Sequence, residues 1–138
     1  MKHHTIPRVI AKLAIPGIIL FGLYVQFHGD YGPGGGFQAG VIIGAAMILY
    51  GLIFGLDALK SVAPQKIVTS LIALGFLLYA GVGIVTQLLG ANFLEYGVLA
   101  HSPKEGQHIG IILVEIGVGI TVAAVMIIIF YMFAGRKQ

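Results

Sequence analysis

Glu115 is the only carboxylate within the long apolar stretches of this 138-residue sequence, where it stands between Val114 and Ile116. An ionised carboxylate is costly in hydrocarbon, so it must face protein or water, pair with a cation, or take up a proton. In a functional interpretation, Glu115 belongs to an ion pathway or relays protons. In a structural interpretation, a hydroxyl, an amide or a Lys or Arg of a partner subunit holds the carboxylate in place.

Four other polar residues could take part in the same chemistry. His108 precedes Glu115 by seven residues, which places both side chains on one face of a helix, with Glu115 about 10 Å along the axis from a start near His108. His28 and Asp30 could take up protons or attract cations at an entrance, or they could cap a helix end and solvate a loop. Gln38 is a candidate hydrogen-bond partner of Glu115.

The sequence lacks the residues for several other kinds of chemistry. It has no cysteine, and its histidines have neither the spacing nor the supporting ligands of a metal site. No nucleophile stands beside a base, and no glycine-rich phosphate cradle follows a predicted strand. The net charge of +3 is spread along the chain rather than clustered. We therefore predict no enzymatic activity, no catalytic residue, no cofactor, no metal site and no nucleic-acid binding.

Composition assigns the chain to the integral membrane proteins. Hydrophobic residues make up 58% of the sequence and charged residues only 9%, with a mean hydropathy of +0.99. This is too little polar surface to cover a soluble domain. Four apolar stretches are each long enough to cross a bilayer as a helix, at residues 9–27, 37–56, 67–89 and 109–133. The prediction is an all-α protein with four transmembrane helices in a single membrane domain, residues 1–138.

The ends and connections of these stretches carry further signals. Lys12 and Pro16 lie near the predicted start of the first stretch, where a lysine can extend to the interface and a proline costs little. The basic start resembles a signal peptide, but no small-residue cleavage site follows, so we expect this segment to be retained. The longest connection, residues 90–108, has room for a short interfacial helix.

Lysine and arginine are distributed asymmetrically about the four predicted spans. Seven of the eight lie on the side that holds both termini and the second connection, and only Lys104 lies opposite. Because basic residues favour the cytoplasmic side, both termini are predicted to be cytoplasmic. The seven are Lys2, Arg8, Lys12, Lys60, Lys66, Arg136 and Lys137.

The second stretch carries a ridge of small residues. Gly36, Gly40 and Gly44 are spaced by four, and Gly51 and Gly55 follow after a step of seven. Small residues on one helix face permit close helix contact in lipid, where hydrophobic burial gives no driving force. The ridge predicts helix packing, either against a partner subunit or against another helix of this chain.

The residues just before this ridge carry a family resemblance. Pro33, Gly34, Gly35, Gly36 and Phe37 follow one another between the first two stretches. They resemble the signature loop of the MnhB or MrpB family, a family of small membrane subunits of the multisubunit monovalent cation/proton antiporters. The wider resemblance extends over residues 20–136.

The resemblance implies an accessory subunit of a hetero-oligomeric antiporter that exchanges Na⁺ or a similar cation for H⁺. Its partners would be the other subunits, including large subunits similar to those of respiratory complex I, together with membrane lipids. The expected location is the plasma membrane of a prokaryote, as a multi-pass protein. The expected tasks are assembly and a contribution to the cation pathway. Two alternatives are a homologous subunit of an energy-converting, hydrogenase-type redox pump, and a stand-alone channel that repeats Glu115 in a homo-oligomeric ring.

Overall fold

A computed structural model describes residues 5–29, 31 and 35–136, and within these residues the chain is helical, with no strand. The helices are α1 (Thr5–His28), α2 (Gly36–Phe54), α3 (Leu56–Val62), α4 (Gln65–Leu88), a short 3-10 helix η1 (Tyr96–Leu99) and α5 (Pro103–Gly135). Four of them, α1, α2, α4 and α5, are long and apolar enough to cross a membrane. The predicted all-α membrane fold with four spans is confirmed.

The last span begins earlier than the hydropathy indicates. Helix α5 starts at Pro103 rather than at residue 109, because Ser102 caps it by accepting a hydrogen bond from the backbone N–H of Glu105 at 3.2 Å. Its 33 residues correspond to about 50 Å, well beyond the roughly 30 Å of a hydrocarbon core. Glu115 therefore lies twelve residues, about 18 Å, from the start of its helix.

Two other boundaries also correct the sequence-based prediction. Helix α1 begins at Thr5, so Pro16 lies in the helix interior, where its missing N–H leaves the carbonyl of Lys12 without a helical donor. Gly55, predicted to extend the packing ridge, instead ends α2 with a φ of +104°, in the left-handed region that favours glycine. The chain then turns directly into α3, which the sequence analysis did not predict.

Helix α5 is the centre of the arrangement. It packs against α2 on one side and α4 on the other, and α1 packs mainly on α2. Gly36 lies beside Glu115 and Gly51 beside Phe130, so α2 and α5 run in the same direction. The four long helices therefore form an open arrangement in the order α1, α2, α5, α4.

Glycines allow α5 to approach both neighbours closely. A methyl group on the Cα of Gly40 would lie 2.6 Å from the carbonyl oxygen of Gly119, and one on Gly75 would lie 2.6 Å from the carbonyl oxygen of Gly117. Such distances require helix backbones in direct contact. The glycine ridge of α2 thus packs against α5 of the same chain, which is the second of the two alternatives that the sequence left open.

The two ends of the helix arrangement differ in charge. One end, called the basic end, holds the start of α1, the end of α2, all of α3, the start of α4 and the end of α5. A hydrogen bond joins two of these elements: the hydroxyl of Tyr131 in α5 donates to the carbonyl of Ala63, which follows α3, at 2.6 Å. The described basic residues at this end are Arg8, Lys12, Lys60, Lys66 and Arg136. Lys104 lies at the opposite end, called the loop end. The cytoplasmic placement of the basic end remains a prediction.

Residues 89–102 form a compact cover at the loop end. The hydroxyl of Thr86 accepts from the backbone N–H of Leu94 at 3.0 Å, and the ring of Phe93 lies against Gly83. Tyr96 packs on Gly110 of α5. Burial, with a smaller effect of Tyr79, raises the pKa of Tyr96 above its ordinary value. This cover supports the part of α5 that extends beyond the other elements.

Candidate functional site

The carboxylate of Glu115 lies against the connection between α1 and α2. This connection, residues 29–35, is called the glycine loop here, and residues 29, 31 and 35 of it are described. A methyl group on the Cα of Gly29 would lie 2.8 Å from Oε1 and 2.9 Å from Oε2 of Glu115, and one on Gly35 would lie 2.9 Å from Oε1. Side chains are therefore excluded at both glycines, because the carboxylate occupies the space that a Cβ would need.

The start of α2 creates a favourable setting for a negative charge. Gly36, its first residue, packs against the backbone of Glu115, so the helix N-terminus and the carboxylate lie side by side. Gly35 provides the N-cap without a side-chain hydrogen bond. The first N–H groups of a helix have no intrahelical acceptor, and the helix dipole places a partial positive charge there. This arrangement favours an anion at the position of Glu115, whose Oε2 atom is buried from solvent.

His108 faces the same loop as Glu115. Its ring lies 6.0 Å from the ring of Tyr31, centroid to centroid, with a tilt of 58°. Both rings line an open cavity of about 670 Å³ at the loop end, together with Lys104 and Glu105. His108 and Glu115, which are predicted to share one face of a helix, thus both lie against the glycine loop.

The remaining predicted residues have different positions. The ring of His28 stacks on Tyr24 of its own helix at 5.2 Å, and the side chain of Phe37 is exposed. Gln38 is exposed too, although its Oε1 atom lies 3.6 Å from the same Cβ position on Gly35 that Glu115 approaches. Three predicted residues lie outside the described ones: Asp30, Pro33 and Gly34.

Gln26 belongs to this neighbourhood as well, and it is not among the residues that the sequence pattern predicts for the site. Its side chain is 9% exposed, and a methyl group on Gly119 would lie 2.6 Å from its Oε1 and 3.2 Å from the carbonyl oxygen of Gly36. The signal that could have found it is an amide within an otherwise apolar stretch, just before its predicted end. Gly119 is one helical turn after Glu115, so Gln26 lies one turn farther from the loop end than the carboxylate.

A groove of about 500 Å³ opens beside Gln26, over the face of α5. One wall comes from α1 and α2, with Leu23, Phe27 and Ile43, and the other comes from α4. Apart from the Gln26 amide, its side chains are apolar. The groove follows from the open arrangement, because α4 packs on α5 without closing against α1 and α2.

Three polar groups therefore follow one another along α5, from His108 through Glu115 to Gln26 beside Gly119. Within the described ranges, no group of three His, Asp or Glu side chains converges as a transition-metal site would require. A carboxylate with one buried oxygen, such as Oε2 of Glu115, can instead hold a proton or a monovalent cation.

The family model and the similar proteins that match this chain agree on one family. Residues 6–128 match the family model described as a domain related to the MnhB subunit of Na⁺/H⁺ antiporter. The chain is 31% identical over 140 residues to antiporter subunit mnhB2 of Staphylococcus haemolyticus (strain JCSC1435), with 99% of each chain covered. It is 30% identical to antiporter subunit mnhB2 of Staphylococcus aureus (strain Newman), again with 99% of each covered.

Proposed function

This chain belongs to the family of MnhB-related subunits of Na⁺/H⁺ antiporters, and we propose that Glu115 is its ionisable group in the cation pathway of such a complex. The chain is a multi-pass protein of a bacterial plasma membrane, and its partners are other antiporter subunits. In this proposal the subunit makes two contributions to the antiporter complex. It supplies a carboxylate that alternately binds a proton and a cation, and its helices help to assemble the complex.

One observation carries the proposal: the carboxylate of Glu115 lies in the space left open by Gly29 and Gly35, with its Oε2 atom buried. Because Oε2 is shielded from solvent, an ion bound to the carboxylate cannot exchange freely with bulk water from all directions. A proton and a Na⁺ ion compete for the same negative charge, so binding one favours release of the other. Such competition is the elementary requirement for exchanging the two ions.

The surroundings of Glu115 support access from the loop end. The cavity beside Tyr31 and His108 is open, and it carries charges of both signs on Lys104 and Glu105. A hydrated cation can enter such a cavity more readily than the apolar groove on the other side of the loop. In the predicted orientation the cavity faces the outside of the cell.

Partner subunits are needed for a complete pathway. The described spans of this chain contain two carboxylates, Glu105 in the first turn of α5 and Glu115 in its interior, and these are too few ionisable groups for a route across the whole bilayer. Large apolar side chains such as Leu20, Phe76 and Phe133 are exposed along the spans, and lipid or neighbouring helices would cover them. We expect the large complex I-like subunits to be among these neighbours and to carry the main proton route.

The test compares Glu115→Gln and Glu115→Asp in the complete complex. Glutamine keeps the size of the side chain but cannot ionise, whereas aspartate keeps the charge and withdraws it by one methylene. Na⁺-dependent proton exchange is measured in inverted membrane vesicles with a pH-sensitive dye, and the amount of assembled complex is measured on the same membranes. We expect Glu115→Gln to assemble and to lose at least about tenfold in exchange, as for a lost proton-transfer group, and Glu115→Asp to retain part of it.

Two results would overturn the proposal. A fully assembled Glu115→Gln complex with an unchanged exchange rate and pH profile would show that no ionisable group is required at this position. Loss of the assembled complex in Glu115→Gln, together with normal exchange in Glu115→Asp, would assign the carboxylate to subunit packing, as in the structural interpretation.

A further inference from the structure

The apolar groove beside Gln26 is a long, open feature of the fold. Its floor on α5 runs from Ile116 to Ile127, eleven residues farther along, which corresponds to about 17 Å of helix. Apart from Gln26, every side chain that lines the groove is apolar, and its two walls do not close over it. In a bilayer such a space is filled either by a hydrocarbon chain or by a helix of a partner subunit.

The width of the groove distinguishes between these two occupants. A volume of about 500 Å³ spread over about 17 Å corresponds to a mean cross-section of about 30 Å². An α-helix with its side chains is about 10–12 Å across, which corresponds to about 80 Å² or more. A hydrocarbon chain is much narrower, because its carbon atoms pack about 4 Å from their neighbours. The dimensions therefore favour an acyl chain over a helix.

The groove leads toward positive charge. Val62 and Ala63 line it where it reaches the basic end of the helix arrangement. At this end the described residues include five basic side chains and one acidic side chain, that of Asp57. A phosphate group would balance part of this excess positive charge, and basic pockets between transmembrane helices commonly bind anionic headgroups.

Lys12 is the basic residue whose position on its helix corresponds best to the groove. It precedes Leu23, a groove residue, by eleven positions, so the two share a face of α1 and lie about 17 Å apart along its axis. Because side chains on a helix lean toward its N-terminus, the exposed Lys12 extends toward the basic end. Arg8, one turn earlier, lies 5.5 Å from the ring centroid of Phe54 and adds a second positive charge to α1.

We propose that the groove binds an acyl chain of an anionic phospholipid, such as phosphatidylglycerol, and that the phosphate of this lipid pairs with Lys12 and Arg8. In the predicted orientation the lipid belongs to the cytoplasmic leaflet. It fills the space between the α1 and α2 pair and α4, which are otherwise linked through α5. This site does not depend on the proposed role of Glu115 in the cation pathway.

The experiment uses the complete complex, purified in a mild detergent, and phosphatidylglycerol with a photoactivatable diazirine in one acyl chain. Phosphatidylcholine with the same chains is the comparison, because its headgroup has no net charge. After illumination, mass spectrometry locates the lipid on peptides of this subunit, relative to labelling elsewhere on the complex. We expect phosphatidylglycerol to label groove residues such as Ile43, Leu71 and Ile120, and phosphatidylcholine to label them at least about fivefold less.

The phosphate contact is tested with Lys12→Gln, which removes the charge and nearly keeps the length of the side chain. We expect about fivefold less labelling of the groove by phosphatidylglycerol, as for the loss of one lysine at a membrane surface. Lys60→Gln is the matched control and should leave groove labelling unchanged. It removes the same charge at the same end, but Lys60 lies on the face of α3 opposite the groove residue Val62.

The acyl-chain contact is tested with Ala123→Leu, which narrows the groove and should lower labelling by both lipids. Ala45→Leu adds the same volume on an exposed face of α2 and should not lower it. Equal groove labelling by the two lipids, unchanged in Lys12→Gln, would overturn the proposal. Absence of groove labelling in the wild-type complex would also overturn it, because a partner subunit would then cover the groove. If Ala123→Leu fails to assemble, the wild-type and Lys12→Gln complexes decide the question.

Discussion

Gly35 and Glu115, eighty residues apart in the sequence, are in contact in the fold: a methyl group on the Cα of Gly35 would stand 2.9 Å from the Oε1 atom of the carboxylate. Gly35 also has a φ of +133°, which other residues adopt only with strain. Both the shape of the backbone and the space beside it therefore require glycine. The contact joins the most distinctive loop of the sequence to the one carboxylate within its long apolar stretches.

The orientation of the helices can be tested directly because the chain has no cysteine of its own. Single cysteines at Ser61 and His101, which are exposed at the basic end and the loop end, would report on the two sides. We expect a membrane-impermeant maleimide to label His101→Cys in intact cells and Ser61→Cys only after permeabilisation, following the distribution of basic residues. The reverse pattern would refute cytoplasmic termini.

The contact between α2 and α5 predicts the effect of a single methyl group. In Gly40→Ala the new Cβ would lie 2.6 Å from the carbonyl oxygen of Gly119, so the helices must separate, at a cost of about 1–3 kcal/mol. We expect a lower melting temperature of the purified complex. Ala45→Leu, on an exposed face of the same helix, adds more volume and should change the melting temperature little. A Gly40→Ala complex that melts at the wild-type temperature would contradict this contact.

The contact between α4 and α5 allows a closer comparison, because α4 has a matched pair of glycines. A methyl group on Gly75 would lie 2.6 Å from the carbonyl oxygen of Gly117, whereas one on Gly81 would have no neighbour within 4 Å. We expect Gly75→Ala to lower the thermal stability of the purified complex and Gly81→Ala to maintain or raise it, since alanine favours helix. A stable Gly75→Ala complex would show that α4 does not approach α5 this closely.

Tyr96 predicts a pH dependence of the cover at the loop end. Burial and the neighbouring Tyr79 raise its pKa, so the neutral phenol is favoured in the folded protein. The stabilisation is fully present below the pKa of an unfolded tyrosine, near 10, and is lost as the pH rises through the higher folded value. The difference in tyrosinate absorbance between the wild-type and Tyr96→Phe complexes should show this ionisation above pH 10. Ionisation at or below that value would contradict the packing of Tyr96 on α5.

Much of the fold follows from the sequence, because four apolar stretches of membrane-spanning length leave few alternatives. The start of α5 was missed for a specific reason. Hydropathy falls off before residue 109, and the start is instead marked by Ser102 and Glu105, three residues apart, with Pro103 between them at the first helical position. The capping pattern was present in the sequence but carries no apolar signal.

The site was only partly predictable. Glu115 stands out in the sequence because a carboxylate is rare in an apolar stretch, and the glycine loop stands out by composition. Their contact depends on the parallel arrangement of α2 and α5, which helix periodicity does not determine. The position of Gln26 beside Gly119 and Gly36 depends on the same arrangement, so its burial could not be predicted from the sequence.

The contact between the glycine loop and the carboxylate of Glu115 can be tested most directly by combining Gly29→Ala with Glu115→Ala. In the wild-type background the new Cβ at position 29 would meet both carboxylate oxygens, at 2.8 Å and 2.9 Å, as well as the Cα of Gly35. Removing the carboxylate relieves two of these three contacts. Gly17→Ala, with no neighbour within 4 Å, is the control.

The measurement is the melting temperature of the purified complex for the wild type, each single variant and each double variant. We expect Gly29→Ala to destabilise the wild-type complex clearly and the Glu115→Ala complex much less, with a coupling of about 1 kcal/mol. Gly17→Ala should have the same small effect in both backgrounds. If Gly29→Ala had equal effects with and without the carboxylate, the glycine loop would not close on Glu115, and the proposed site would be contradicted.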